Sequence, residues 1–146
     1  MRQVLIAVAA FALGATAVAA QNVAVIKERK DHYKKMGDAA KPVSAMYKGE
    51  ADFELEKVQA ALKIMQEQAV ILPKLFPDDS KTGEKTEALP IIWEEKADFE
   101  SRFKKLGEAA KAAEAKITDE ETFPDAWKEV MGNCSGCHKK FRKPKS

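Results

Sequence analysis

Apolar residues recur at intervals of three and four along four stretches of the chain, which is the spacing of one face of a helix. The stretches run from about Val23 to Tyr47, from Val58 to Phe76, from Ile92 to Ile117 and from Phe123 to Phe141. No stretch alternates with the period of two that is typical of a half-buried strand. The sequence therefore predicts an all-α protein, an antiparallel four-helix bundle in which each helix buries its apolar face against the others.

Proline, glycine and acidic residues mark the ends of these helices. Pro42 should kink the first helix or restart it after Lys41. Gly49 should end it in the left-handed conformation, and Asp52 is the expected N-cap of the second helix. Residues 77–90 are polar and contain Gly and Pro, which predicts a surface connection. Loops of this length often serve a site in compact domains.

The first twenty residues differ in composition from the rest. Arg2 precedes an apolar run from Val4 to Ala20, which ends in small residues before the polar Gln21. This pattern predicts a cleaved secretory signal peptide over residues 1–20 and a mature domain over residues 21–146. An uncleaved anchor is the alternative, because the run could nearly span a bilayer.

The charge is nearly balanced, with 25 Lys and Arg against 23 Asp and Glu. Such a balance gives no reason to expect binding to nucleic acid. No nucleophile and base pair and no carboxylate dyad can be identified from spacing, so an enzyme is not expected. Once the signal peptide is removed, no membrane span is expected either.

The most informative segment is Cys134-Ser135-Gly136-Cys137-His138, close to the C-terminus. C-x-x-C-H is the attachment signature of c-type haem, since two thiols two residues apart reach the two vinyl groups of one porphyrin. The adjacent His138 can then bind the iron. A disulfide across one helical turn is the main alternative. These are the only two cysteines, so a Cys₄ or Cys₃His zinc site cannot be completed within the chain.

A second axial ligand would have to come from an earlier helix, because neither Met nor His follows His138. Met65 and Met131 are expected to be core residues, and His32 is expected to be solvated at the flank of its helix. Tyr33 and Met36 share the inward face of the first helix. The candidates are His32, Met36, Met46, Met65, Met131 and, more weakly, Tyr33 and Tyr47.

Four short segments resemble the motifs of a known protein family. They are RKDHYKKMG at residues 29–37, LPKLFP at residues 72–77, PIIW at residues 90–93 and CSGCHKKFR at residues 134–142. Together with the order of signal peptide, four helices and C-terminal C-x-x-C-H, they resemble the class II c-type cytochromes, of which cytochrome c′ is the main type. The resemblance covers the whole predicted mature chain.

The resemblance implies one haem c, held by two thioether bonds from Cys134 and Cys137, with His138 as the iron ligand. Tyr33 stands where the low-spin members have an iron-binding Met. The resemblance therefore implies a five-coordinate, high-spin iron that can bind NO or CO, in a protein that transfers single electrons. A low-spin, six-coordinate electron carrier with Met36 as the sixth ligand is the alternative.

Two arginines gain a role by the same resemblance. Arg29 would lie beside a haem propionate, although a surface Arg at the start of the helix is an equal alternative. Arg142 would edge the pocket on the His138 side, or simply favour the helix dipole as a C-terminal cation.

The resemblance also implies a periplasmic location and a redox partner or a diatomic gas as the binding partner. The basic end of the chain would dock an acidic redox protein, or else form a solvated tail. Family members are commonly dimers through the first two helices, and the sequence leaves the oligomeric state open. The basic residues at this end are Lys139, Lys140, Lys143 and Lys145.

Overall fold

The structure, a computed structural model, describes residues 23–144. Its five α-helices are α1 (Leu5–Tyr47, described from residue 23), α2 (Leu55–Ile71), α3 (Ile91–Glu94), α4 (Lys96–Lys116) and α5 (Phe123–Phe141). The long helices α1, α2, α4 and α5 form a four-helix bundle, in which α2 packs on α1 and α4, and α4 packs on α5. The predicted all-α class and bundle are confirmed. The predicted signal peptide and its cleavage site lie outside the described residues and stay predictions.

Helix α1 ends as its sequence predicts. The N–H of Glu50 donates to the carbonyl of Ala45 at 2.9 Å, and the N–H of Gly49 donates to the carbonyl of Met46 at 3.0 Å. These two bonds form the Schellman motif, which requires a left-handed residue after the helix. Gly49 supplies it with a φ of +72°.

Three predicted boundaries differ from the structure. Pro42 lies inside the uninterrupted α1 and does not restart it. Helix α2 begins at Leu55, so Asp52 is not its N-cap, and Glu54 holds that place without a side-chain cap. The third predicted helix is divided at Glu95, whose φ of −117° and ψ of 47° separate α3 from α4.

The buried core has two parts. One cluster fills the bundle around Val43, Leu62 and Trp127, each at most 1% exposed. The other cluster is rich in phenylalanine and centres on Phe99, whose ring lies 4.7 to 5.2 Å from those of three other phenylalanines. Edge contacts of this kind add about 0.5–1.5 kcal/mol per pair. The three rings around Phe99 belong to Phe76, Phe103 and Phe141.

Residues 77–90, called here the strap, link this second cluster to the end of α5. The N–H of Leu89 donates to the carbonyl of Phe141, and the N–H of Lys143 donates to the carbonyl of Glu87. An isolated bridge between Ala88 and Arg142 lies between these bonds. The strap is therefore fastened by backbone hydrogen bonds to the C-terminal end of the bundle.

Replacing Gly49 by Ala should destabilise the protein by about 1 kcal/mol or more, because a side chain is strained at positive φ. Gly37→Ala is the matched control, since Gly37 lies inside α1 and an added Cβ would contact nothing within 4 Å. That variant should gain about 0.5–1 kcal/mol. Urea unfolding of both variants measures the difference, and equal effects would contradict the assigned helix end.

Candidate functional site: a cavity at the end of the bundle

A cavity of about 420 Å³ opens beside the second cluster, between α1, the strap and the end of α5. Its volume lies in the range of pockets that hold small molecules and cofactors. Phe76, Ile92, Phe99 and Phe141 give it apolar walls, while lysines line its rim. The rim also includes Thr86, Glu87 and Ala88, so the long loop borders this cavity, as expected of a loop that serves a site.

Five of the six site residues predicted from the sequence line this one cavity. They are Arg29, Tyr33, Cys137, His138 and Arg142. The sixth, Cys134, lies one helical turn before Cys137 and packs against the first core cluster. The first and last members of this group, Arg29 and Arg142, are more than a hundred positions apart in the sequence, and the fold brings them to the same cavity.

The two cysteines are half-buried thiols that are not bonded to each other. The disulfide alternative is therefore not found in the structure. Burial raises the pKa of both thiols. Both sulfur atoms and the imidazole of His138 are carried by one helix, at the spacing that two thioether bonds and an iron ligand require.

Tyr33 contributes its phenol ring to the cavity from α1. Its ring is tilted against that of Phe103 with a centroid distance of 6.5 Å. Burial is the main reason why the pKa of Tyr33 lies well above its ordinary value, and the nearby Cys137 adds to the effect. The phenol is therefore neutral around pH 7, and as a neutral phenol it is a poor ligand for ferrous iron.

None of the other candidate ligands lines the cavity. Met46 and Met65 are core residues, as expected for Met65, and Met131 packs against the same cluster. Met36 is half-buried and packs against both clusters. His32 is not solvated as predicted, because it is half-buried and its Nδ1 lies 2.6 Å from Oε1 of Gln68 on α2.

Arg29 lies buried at the wall of the cavity. It is only 2% exposed, so the alternative of a surface arginine is wrong. Its guanidinium donates to Ser80 and Thr86 in the strap and lies 4.6 Å from the centroid of the Phe76 ring. Burial lowers the pKa of Arg29, yet an arginine remains charged at neutral pH.

No carboxylate of the described residues forms an ion pair with Arg29. A buried cation of this kind is normally compensated by a negative charge. The cavity beside it therefore suits a ligand that is mostly apolar and carries a carboxylate.

Arg142 lies at the cavity, whereas the lysines of the basic end lie in different surroundings. Arg142 is half-buried at the cavity, directly after α5, and its N–H donates to the carbonyl of His138 at 3.2 Å. Lys140 forms ion pairs with Asp98, at 2.8 Å, and Glu95, which raise its pKa. Lys140 is therefore held against Glu95 and Asp98 and is not part of a solvated tail. Lys139 and Lys143 are exposed, and Lys145 lies outside the described residues.

Comparisons with known proteins identify the family. The family model described as Cytochrome C′ matches residues 24–142. The chain belongs to the cytochrome c′ family. It is 49% identical over 122 residues to a cytochrome c′ of Rhodopseudomonas palustris, covering 84% of each chain. It is also 36% identical over 146 residues to cytochrome c-556 of the same organism, covering 97% of each.

A solved structure agrees with this assignment. The structure of cytochrome c′ from Rhodopseudomonas palustris matches with a TM-score of 0.81 at 49% identity, covering 84% of this chain and 98% of the other. The predicted class II resemblance is thereby confirmed. As a member of the cytochrome c′ family, the chain is a haem c protein. Among the described residues, no helix is long and apolar enough to cross a membrane.

The residues at the cavity fit this cofactor. The apolar walls suit a porphyrin, the thiols and imidazole stand at the attachment spacing, and the uncompensated charge of Arg29 suits a propionate. Sequence reasoning missed Ser80 and Thr86, which lie in a polar loop without periodicity. The sequence indicated their role only indirectly, because Arg29 lies on the inward face of α1 and a buried arginine needs hydrogen-bond acceptors.

Covalent attachment can be tested by mass. The chain produced in a host competent in haem maturation should carry the mass of one haem after denaturation, because thioether bonds survive unfolding. The double variant Cys134→Ser, Cys137→Ser should lose that mass. The variant Ser135→Ala, at an exposed position between the cysteines, is the control and should keep it. Haem that dissociates from the unfolded wild type would contradict the assignment.

Proposed function

We propose that this chain is a periplasmic electron-transfer protein whose five-coordinate, high-spin haem iron also binds NO or CO. Export follows from the signal peptide predicted over residues 1–20, which leaves a mature domain over residues 21–146. The haem supplies an iron that changes its charge by one electron and can accept a small ligand at an open position. The remaining roles belong to side chains of this chain.

Cys134 and Cys137 hold the porphyrin, and His138 is the metal ligand. The side chains of Phe76, Phe99 and Phe141 exclude water from the cavity and thereby strengthen electrostatic interactions within it. Arg29 faces a propionate, to which a guanidinium can donate charge-assisted hydrogen bonds. Arg142 edges the pocket close to His138.

The single observation that carries the five-coordinate proposal is that Tyr33, and not Met36, borders the cavity. A half-buried neutral phenol at this position would crowd an iron held by His138 without ligating it. The open position that remains is suited to a small uncharged ligand, because the walls around it are aromatic and aliphatic. No enzymatic activity is proposed.

The alternative is a six-coordinate, low-spin electron carrier with Met36 as the sixth ligand. One observation favours it. Met36 lies one helical turn beyond Tyr33 and packs against the same cluster as Tyr33 and Cys137. A change of side-chain rotamer at Tyr33 could then make room for the thioether of Met36.

The partner of electron transfer is proposed to be an acidic redox protein. Lys30 and Lys85 line the rim of the cavity and are exposed, and the exposed Lys139 directly follows His138 in the sequence. Cations at such a rim accelerate the approach of an acidic partner.

The visible spectrum of the reduced protein separates the two coordination states. A broad, unsplit band in the α/β region that changes on adding CO is expected for the five-coordinate iron. Tyr33→Met should convert the spectrum toward sharp, split bands, because a thioether then reaches the iron. Tyr33→Phe is the control and should keep the broad band and the response to CO.

A reduced wild type with sharp, split bands and no response to CO would contradict the open site. Met36→Leu then identifies the ligand. If Met36 binds the iron, this variant should show the broad band, whereas an unchanged sharp spectrum would exclude Met36.

A further inference from the structure

Arg29 donates three of its four side-chain hydrogen bonds to the strap and the fourth to Leu75. Nη1 donates to Oγ of Ser80 at 2.9 Å, and Nη2 donates to the carbonyl of Ser80 and to Oγ1 of Thr86, both at 2.9 Å. Nη1 also donates to the carbonyl of Leu75 at 3.4 Å. Four of the five N–H groups of the guanidinium are thus committed, and the Nε–H group remains.

The two strap residues are themselves held in place. Ser80 is fully buried, its N–H and its hydroxyl both donate to the carbonyl of Pro77, at 3.0 and 2.9 Å, and its oxygen therefore presents a lone pair to Arg29. The N–H of Thr86 donates to the carbonyl of Gly83 at 2.9 Å, which fixes Thr86 in a turn. Oγ1 of Thr86 also accepts the N–H of Ala88 at 3.3 Å.

These partners solvate the guanidinium without neutralising it. Hydroxyl and carbonyl oxygens satisfy its donors, yet they carry no net charge, so the full positive charge stays at the wall of the cavity. In a cavity with apolar walls this charge is poorly screened. A positive charge next to a haem stabilises the reduced form and so raises the reduction potential.

We propose that Ser80 and Thr86 are positioning residues that hold the Arg29 guanidinium against the haem and thereby set the reduction potential. The inference rests on the proposed haem site and goes beyond it, because it assigns the control of the potential to the strap.

The test is a spectroelectrochemical titration of the holoprotein and its variants. Arg29→Gln removes the charge and should lower the midpoint potential. Ser80→Ala and Thr86→Val each remove one acceptor from Arg29 and should shift the potential in the same direction by a smaller amount. Ser80 does not line the cavity, so its effect must pass through Arg29.

Two matched variants control for the strap itself. Thr86→Ser keeps the hydroxyl acceptor and should restore the wild-type potential that Thr86→Val loses. Thr82→Val changes an exposed threonine of the same strap and should leave the potential unchanged.

Hydrogen exchange gives an independent readout. Loss of one hydrogen bond to a charged donor in Ser80→Ala should raise the exchange rates of the Ser80 and Thr86 amides by about tenfold, while Thr82→Val should not. Faster exchange without a shift in potential would overturn the proposal, since Ser80 would then stabilise the strap alone.

The remaining outcomes separate this inference from the proposed function. If Arg29→Gln leaves the midpoint potential of a coloured, haem-loaded protein unchanged, the inference fails while the haem site stands. If Arg29→Gln shifts the potential but Ser80→Ala and Thr86→Val do not, Arg29 acts without the strap and the inference also fails. A wild type without covalent haem would overturn both.

Discussion

The burial of the Arg29 guanidinium is the interaction on which the cavity end of the bundle depends. A charged group withdrawn from water needs hydrogen-bond partners, and the strap accepts three of the guanidinium's hydrogen bonds with oxygen atoms of Ser80 and Thr86. The strap in turn pairs with the end of α5 through backbone hydrogen bonds. One side chain on α1 therefore helps to keep the strap and α5 together around the cavity.

The divided core explains why a cavity exists at this end of a closely packed bundle. Around Val43, Leu62 and Trp127 the helices fill their shared space. Around Phe99 large rings meet at their edges and form walls, and the space beside them is the cavity. Helix α5 belongs to both regions, since Cys134 packs on the first cluster and Cys137 packs on the second.

Much of this arrangement could be predicted from the sequence. The helical spacing of apolar residues predicted the bundle, and Gly49 predicted the end of α1. The C-x-x-C-H segment indicated the cofactor, because this spacing has few other uses. Local boundaries were less predictable. Pro42 is accommodated within α1, and the break at Glu95 interrupts a regular stripe without a local signal.

The contacts made by polar residues could not be predicted, since they depend on tertiary structure. The strap has the composition of a surface loop, yet Ser80 within it is fully buried because it must face Arg29. Lys140 has the sequence context of a free basic tail, yet it lies against Asp98 of another helix. His32 differs from its predicted place for the same reason, since its partner Gln68 lies 36 positions away.

The central claim is that a haem iron lies in this cavity between His138 and Tyr33. A crystal structure of the purified holoprotein, with an anomalous difference map recorded at the iron edge, tests it most directly. The account predicts one iron peak bonded to the imidazole of His138, with the Tyr33 ring on the opposite side and no second protein ligand. An iron bonded to Met36 or His32, or located outside the cavity, would contradict it.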